Sequence, residues 1–510
     1  MLYNKYIQHN NGQSRIISNT AILYARMAVL LIINLYSARI LLSELGVVDY
    51  GIYNVVAGVI LLASFFNNTM SIANQRFICY EIGNNNNTKV SAILSTGIII
   101  HICISIFIIF MAETIGIWFI KNYINLPMGK ESSGLFVFHI SLITYIISFL
   151  YIPFHATIIS FEKMDVFAYI SIIDGILKLL AVISLKLFID NKLHIYVLLL
   201  CCETLIIGVT YMIYCNYKLI KIRLKLAQKN IAKELLNFIG WNTFGQISFI
   251  SANQGINILV NIFFNVIANS AMGIANQVNG AVLQLTSNFQ TAFRPQIVKL
   301  YANKNFEELN SLIITSSKIS FFLLYIVSIP IMLNINQLLS IWLTVVPEWT
   351  AIFCILTIIF SLIEVIGGPL FMTIFANGDI KKYQFIVGIL FLSNIPIAYI
   401  CFKTGLPPQS ALYVRIIISI LVLIYRIISM RTYIDFSIMK YTKHVLIRIF
   451  NVILISLPVS VLIRMSLDDN IVGLLISTTS SVVIIAISII LIGINKEERS
   501  YLKEIIKHKK

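Results

Sequence analysis

Acidic side chains are scarce in this sequence. Of 510 residues only 22 are Asp or Glu, against 38 Lys or Arg, and charged residues of both signs make up 12%. A water-soluble chain of this length carries roughly twice that share of charge, so a soluble enzyme or a soluble nucleic-acid binder is excluded. Metal-ligand patterns are missing too. The seven cysteines, Cys79, Cys103, Cys201, Cys202, Cys215, Cys354 and Cys401, lie in or beside apolar runs and read as small buried hydrophobes. The seven histidines are scattered, with no HExxH pair. Neither a metal nor a cofactor is expected. A cleavable leader is not expected either: Met1 to Ser14 is polar, and the run that follows is too long for a signal peptide and has no small-residue cleavage site. No loop is long enough to fold as a domain.

What is abundant is apolar sequence, 58% of the chain, with a mean hydropathy of +0.87. Runs near or above the ~20 residues that span a bilayer recur throughout. About fourteen candidate spans follow: 15–42, 50–69, 91–120, 134–156, 166–188, 193–217, 235–264, 268–292, 312–341, 350–376, 383–402, 408–430, 446–465 and 471–494. With the N-terminus inside, the inner loops collect Lys5, Arg76, Lys89, Lys163, the basic stretch from Lys218, Lys299, Lys304, Lys381, Lys382, Arg431, Lys440, Lys443 and the basic tail. The outer loops hold only Lys121, Lys130, Lys186, Lys192, Lys403 and Arg464. This asymmetry is the positive-inside rule, and it puts both termini in the cytoplasm. It also accounts for most of the +16 net charge without nucleic acid. Trp342 and Trp349 suit an outer interface.

The chain repeats itself. "YGIYNVVAG" from Tyr50 aligns with "MGIANQVNG" from Met272, Asn19-Thr20 echoes Asn242-Thr243, and Arg76 is echoed more weakly by Arg294. Span one thus matches span seven, and span two matches span eight. Six helices per repeat is an even number, so the halves share one orientation, and two six-helix lobes are related by an axis along the membrane normal. The expected fold is an all-α polytopic membrane protein with a parallel pseudo-repeat and two extra C-terminal helices. Its parts are an N-lobe over 1–217, a basic cytoplasmic linker over 218–234, a C-lobe over 235–432, two further spans over 433–494 and a basic cytoplasmic tail over 495–510.

Arginine inside this apolar sequence needs a reason, because a charge at the bilayer centre costs about 2.5 to 3.5 kcal/mol on insertion scales. On a helical wheel Arg15 and Arg26 lie within about 20° of each other, on the face of Asn19 and Ser37, and ~16 Å apart along the axis. Arg39 lies on another face near the outer interface, where it can snorkel. Span seven carries a stripe of Asn242, Gln246, Asn253 and Asn257, with Asn261 at its edge, and span eight adds Asn269, Asn276, Ser287 and Arg294. No acid lies between Glu234 and Glu307. Such a cationic, amide-rich wall suits an anionic ligand with many hydroxyls. Guanidinium forks match phosphate oxygens, and amides both donate to and accept from sugars. The expected contacts are Arg15, Arg26, Arg39, Arg294, Asn242, Gln246, Asn253, Asn257 and Asn276. An equal reading of these amides is as glue between helices. Of the buried carboxylates, Asp174 sits four residues from Lys178 and is expected to pair with it. Glu203 and Glu364 have no local partner, and with Asp174 they are candidates for ion coupling or for the counter-charge of Arg26.

The segment "SARILLSELGVVDYGIYNVV" resembles the stretch joining the first two helices of polysaccharide transporters in the MOP (multidrug/oligosaccharidyl-lipid/polysaccharide) superfamily, the Wzx-type O-antigen flippases. The matching residues are Ala38, Arg39, Leu41, Leu42, Gly46, Asp49, Tyr50, Gly51 and Tyr53, with a Glu-Leu insertion before Gly46. Asn19 and the Arg294-Pro295 pair also fit. The resemblance implies alternating access and movement of an undecaprenyl-pyrophosphate-linked oligosaccharide from the cytoplasmic to the periplasmic leaflet of a bacterial inner membrane. It implies membrane lipids, a polysaccharide polymerase and glycosyltransferases as partners. It further implies that Arg26 and Arg294, on the helices bordering a lateral opening, meet the pyrophosphate. Drug exporters of the same fold place an acid on helix one, and this span one has none.

Other readings are open. A drug or cation antiporter of the same fold is one. A membrane glycosyltransferase or polymerase using Glu44 and Asp49 is another, although such enzymes usually carry large outer domains. A major facilitator would need a Gly- and Arg-rich loop after span two, which "MSIANQRFICYEIGNNNNTK" does not match. The orientation itself is testable. A reporter enzyme active only outside the cytoplasm should be inactive when fused after Lys510 and active when fused after Val346; the reverse result overturns the topology.

Overall fold

The structure is a computed structural model that describes residues 2–61, 64–123, 129–220, 228–343 and 345–495. Every regular element in these residues is helical. In chain order they are α1 (Leu2–Leu61), α2 (Ser64–Gly83), α3 (Asn87–Met111), α4 (Ile117–Tyr123), α5 (Glu131–Ser160), α6 (Met164–Ser184), α7 (Lys192–Tyr214), α8 (Lys229–Ala302), α9 (Phe306–Leu333), α10 (Ile335–Trp342), α11 (Thr350–Ile366), α12 (Gly368–Asn377), α13 (Lys381–Leu392), α14 (Asn394–Lys403), α15 (Ser410–Ser429), α16 (Ile438–Tyr441), α17 (Ile447–Met465) and α18 (Ile471–Ser488). The chain divides into two compact units, Met1–Gln246 and Ile247–Lys510.

Among the described residues eleven helices are long and apolar enough to cross a membrane, and twelve if the bent pair α11–α12, which turns by 43°, is one span. The two expected spans that do not stand apart are 50–69 and 268–292. The first belongs to α1, which continues past Gly46 to Leu61, and the second belongs to the unbroken helix α8. The expected span 50–69 includes residues 62 and 63, which lie outside the described residues; for 268–292 the physical reason is polarity. The segment from 268 to 292 carries Asn269, Asn276, Gln277, Asn279, Gln284, Asn288 and Gln290, which lower its mean hydropathy.

In the first unit α1 packs on α6, and α5 packs on both α2 and α7. Phe154, Ile158, Ile170, Ile207, Tyr211 and Cys215 form a buried cluster between α5, α6 and α7. At Gly175 of α6 the α1 side chains of Leu30 and Ile33 come so close that a Cβ would lie 2.7 Å from Leu30 Cδ2. In the second unit a larger core gathers Ile256, Val260, Met272, Phe353, Cys354 and Leu412 from α8, α11 and α15. Here α17 and α18 pack against each other and against α9.

Gly46 is the one non-helical residue inside α1, at φ 71° and ψ 172°. That region is open almost only to glycine. Two ion pairs tie down the flanking turns: Lys192 Nζ lies 2.8 Å from Glu44 Oε2, and Lys130 Nζ lies 2.9 Å from Asp49 Oδ1. The segment "SELGVVDYG" thus forms a glycine bend held by two lysines from the starts of α7 and α5. Gly46→Ala should destabilise the fold by about 1 to 3 kcal/mol, read as a lower thermal midpoint of the purified protein. An unchanged midpoint would show that the kink carries no strain.

Candidate functional site

The interior of the first unit is polar because three helices turn their polar stripes toward one another. On α6, Phe167, Ser171, Asp174 and Lys178 follow at intervals of four, three and four residues, which is one face. On α7, Tyr196 and Glu203 share a face, with Tyr211 beside them, and α5 adds Tyr151 and His155. Lys178 Nζ donates to Asp174 Oδ2 at 2.9 Å, the pairing expected from the spacing. Glu203 is buried, at 4% exposure. Its Oε2 accepts from Thr204 Oγ1 at 3.2 Å, while Oε1 has no hydrogen-bond partner. Asp174 of α6 acts on Glu203 electrostatically. Two of the three candidate coupling carboxylates are therefore brought together. Tyr53 and Tyr196 meet edge to face at 5.2 Å, and Tyr151 stacks on Tyr211 at 5.4 Å.

Arg26 of α1 reaches this interior. Its guanidinium carbon lies 4.5 Å from the centroid of Phe167. His155 stands edge-on to Phe167 at 5.1 Å and to Tyr211 at 5.6 Å, closing an aromatic wall. Asp174 and Tyr211 act on Arg26 electrostatically. Asp174, however, is held by Lys178, and Arg26 Nε is buried without a hydrogen-bond partner. The apolar span of α1 runs from Asn19 to Gly46, so Arg26 lies about 10 Å in from its start rather than at its centre. Arg39 is exposed near the other end. Asn19 is buried, and its Nδ2 has no partner. Arg15 lies ahead of the described side chains, so the contact expected of it falls outside them.

The amides of α8 divide into two groups. Asn242 is fully buried and donates to the carbonyl of Thr69 on α2 at 3.4 Å, a contact between helices. Asn279 is also buried and accepts from Ser361 on α11 at 2.8 Å. Asn257 donates to Gln254 Oε1 at 2.9 Å, within its own helix. Gln246 and Asn253 are half-buried, and Asn276 is exposed. Arg294 is half-buried and takes part in interactions of its own.

Glu364 lies in the second unit, in the last turn of α11 before the bend. It accepts from Arg426 Nη1 at 2.9 Å and from Ser419 Oγ at 2.6 Å, both on α15. Arg426 Nε donates to Tyr383 Oη on α13 at 2.9 Å. The guanidinium presses on the break itself: a Cβ at Gly367 would lie 2.6 Å from Arg426 Nη1. Glu364 thus acts with Arg426, not Arg26. Three turns of α15 put Arg415, Ser419, Val422 and Arg426 on one face, and Arg415 lies 3.8 Å over the ring of Phe360. Sequence reasoning missed both arginines, although a wheel drawn on span twelve isolates them opposite the exposed Tyr413, Ile417, Ile420, Ile424 and Ile428. Among the described residues no cluster of His, Cys, Asp and Glu could hold a metal ion.

No family model matches this chain, and no curated protein matches it by sequence. Solved structures do match its fold. A multidrug resistance MATE family transporter of the MOP superfamily, in an outward-facing conformation, superposes with a TM-score of 0.71 at 14% identity, covering 82% of this chain and 95% of that one. A MOP superfamily transporter from Pyrococcus furiosus, described as having a binding pocket of reversed polarity that suggests a different function, gives 0.69 at 15% identity, covering 82% and 95%. A MATE in the bent conformation gives 0.67 at 13% identity, covering 86% and 98%. The chain is a multi-pass membrane protein by the length and composition of its helices, and it shares the fold of these solved structures. These structural neighbours are transporters, not enzymes.

Removing one member of a buried ion pair strands the other charge and costs about 3 to 5 kcal/mol. Arg426→Leu should therefore lower the thermal midpoint sharply, and Glu364→Leu added to it should recover most of the loss. A double variant no better than the single one would mean that the arginine acts through Tyr383 and Gly367 instead.

Proposed function

We propose that the protein is a flippase of a bacterial inner membrane that moves a lipid-pyrophosphate-linked oligosaccharide, such as an undecaprenyl-linked repeat unit, to the periplasmic leaflet by alternating access. The observation that carries this reading is Arg26. It is an arginine inside an apolar span, seated on an aromatic ring, and among the described residues it makes no ion pair or hydrogen bond. The acid nearest to it is already engaged by Lys178. An uncommitted guanidinium in such surroundings is costly unless an anion completes it, and a diphosphate does so with charge-assisted bonds. The open amides Gln246, Asn253 and Asn276 suit sugar hydroxyls. In this reading the part of α1 beyond Gly46 and the part of α8 beyond Phe264 serve as the second and eighth of fourteen crossings. Asp174 and Glu203 form the coupling site, and Glu364 has a structural role.

A second reading, a drug or cation antiporter, is favoured by the Asp174–Glu203 pair, which could bind a coupling cation. A glycosyltransferase using Glu44 and Asp49 is disfavoured, because both carboxylates are engaged by lysines.

The test uses cells that lack this protein and keep the enzymes that build the glycan. Complete lipid-linked units should accumulate beyond reach of a periplasmic sugar-modifying probe, and restoring the gene should expose them. Arg26→Lys should keep partial activity because the charge remains, whereas Arg26→Gln should lose most of it. Full activity in both variants removes Arg26 from the site. Incomplete units would point to a synthetic enzyme, and an unchanged pool to the antiporter.

A further inference from the structure

The second unit repeats, with different residues, the arrangement found around Arg26. In the first unit the guanidinium of Arg26 lies on Phe167, and the nearby Asp174 is held by Lys178. In the second, the guanidinium of Arg415 lies on Phe360 at 3.8 Å, and the nearby Glu364 is held by Arg426 and Ser419. Glu364 acts on Arg415 electrostatically, but both of its carboxylate oxygens are already accepting hydrogen bonds. Among the described residues Arg415 makes no ion pair and no hydrogen bond. Two arginines therefore share one acid on the interior face of α15, and this polar cluster carries one positive charge in excess.

That excess is not explained by snorkelling. The lipid-facing side of α15 is marked by Tyr413, Ile417, Ile420 and Ile424, all exposed. Arg415 lies on the opposite side, in line with Ser419 and Arg426. Phe360 covers one face of the guanidinium plane and leaves its edge donors available. A planar fork with free edges matches an oxyanion in a two-point contact. A structural arginine at this depth would be expected to have its donors filled.

We propose that Arg415, on its Phe360 platform, is an oxyanion-binding residue of the second unit that takes a carboxylate or phosphate group of the transported molecule. This deepens the flippase reading and rests on it for the identity of the cargo. Two sources share the chemistry: an acidic sugar in the glycan and the diphosphate of the lipid carrier.

The experiment uses the purified full-length protein, wild type and the variants Arg415→Gln, Arg415→Lys and Phe360→Leu. One arm measures thermal stabilisation by sodium glucuronate and by inorganic phosphate, with glucose as the neutral control. The other measures binding of three probes: undecaprenyl diphosphate, the same lipid bearing a disaccharide that ends in glucuronic acid, and its glucose-ended counterpart. The expected result is that the anions, not glucose, stabilise the wild type, and that Arg415→Gln abolishes this. Arg415→Lys should retain part of it, and Phe360→Leu should weaken it. A loss in Arg415→Gln of about tenfold confined to the glucuronate probe assigns the residue to an acidic sugar. An equal loss for all three assigns it to the diphosphate. Binding of every probe and anion as in wild type overturns the proposal and leaves the flippase reading standing. Anion stabilisation that depends on Arg415, with no lipid probe bound by any variant, upholds the anion site and overturns the flippase reading. Partial function in Arg415→Lys excludes misfolding as the cause of the Arg415→Gln result.

Discussion

The constraint on which this structure depends is the cost of charge inside a bilayer. A lone guanidinium or carboxylate there is unfavourable by several kcal/mol unless it is paired, hydrogen-bonded or hydrated. The chain meets this cost in two ways. Where shape must be fixed, opposite charges are joined outright: Glu44 with Lys192, Asp49 with Lys130, and Glu364 with Arg426. Where shape is set by packing, arginines are set on aromatic rings and their donors are left open. The first group holds breaks in helices, at Gly46 and Gly367. The second group sits in the polar interiors of the two units. This division separates charge that is paired from charge that rests on an aromatic ring without an ion pair among the described residues.

The same division accounts for how much could be read in the sequence. Hydropathy and the distribution of lysine were enough to identify an all-helical membrane protein, because span length and composition are local properties. The Asp174–Lys178 pair was legible for the same reason, since a spacing of four fixes it on one helix. Glu203 was not placed, because its neighbour Asp174 lies on another helix and no periodicity reports contacts between helices. Asn242 was grouped with other amides of its stripe, yet it donates to a backbone carbonyl of α2 while Asn276 is exposed. A wheel resolves the angle around one axis and says nothing about what stands opposite. Arg415 and Arg426 are legible in principle, since a wheel of span twelve sets them opposite its exposed isoleucines.

The solved structures share this fold at 13% to 15% identity, so little of the sequence is needed to specify it. What this fold must keep is a set of apolar helices of the right length. The polar residues in between are free to change sign. The transporter from Pyrococcus furiosus, described by the reversed polarity of its pocket, illustrates the same freedom. In the present chain α8 holds no acid beyond its first two turns.

The contact at Gly175 carries a consequence of another kind. Leu30, which occupies the space that a Cβ at that position would need, is one turn of α1 away from Arg26. The distance from the guanidinium to Phe167 and to the acid on α6 is therefore governed by the size of a side chain that carries no charge. Alanine or serine at residue 175 would push α1 outward and shift the strength of any anion contact while every charged residue stayed in place. The surroundings of Arg26 can then change through steric substitutions alone, and comparing sequences only by their arginines and carboxylates would miss it.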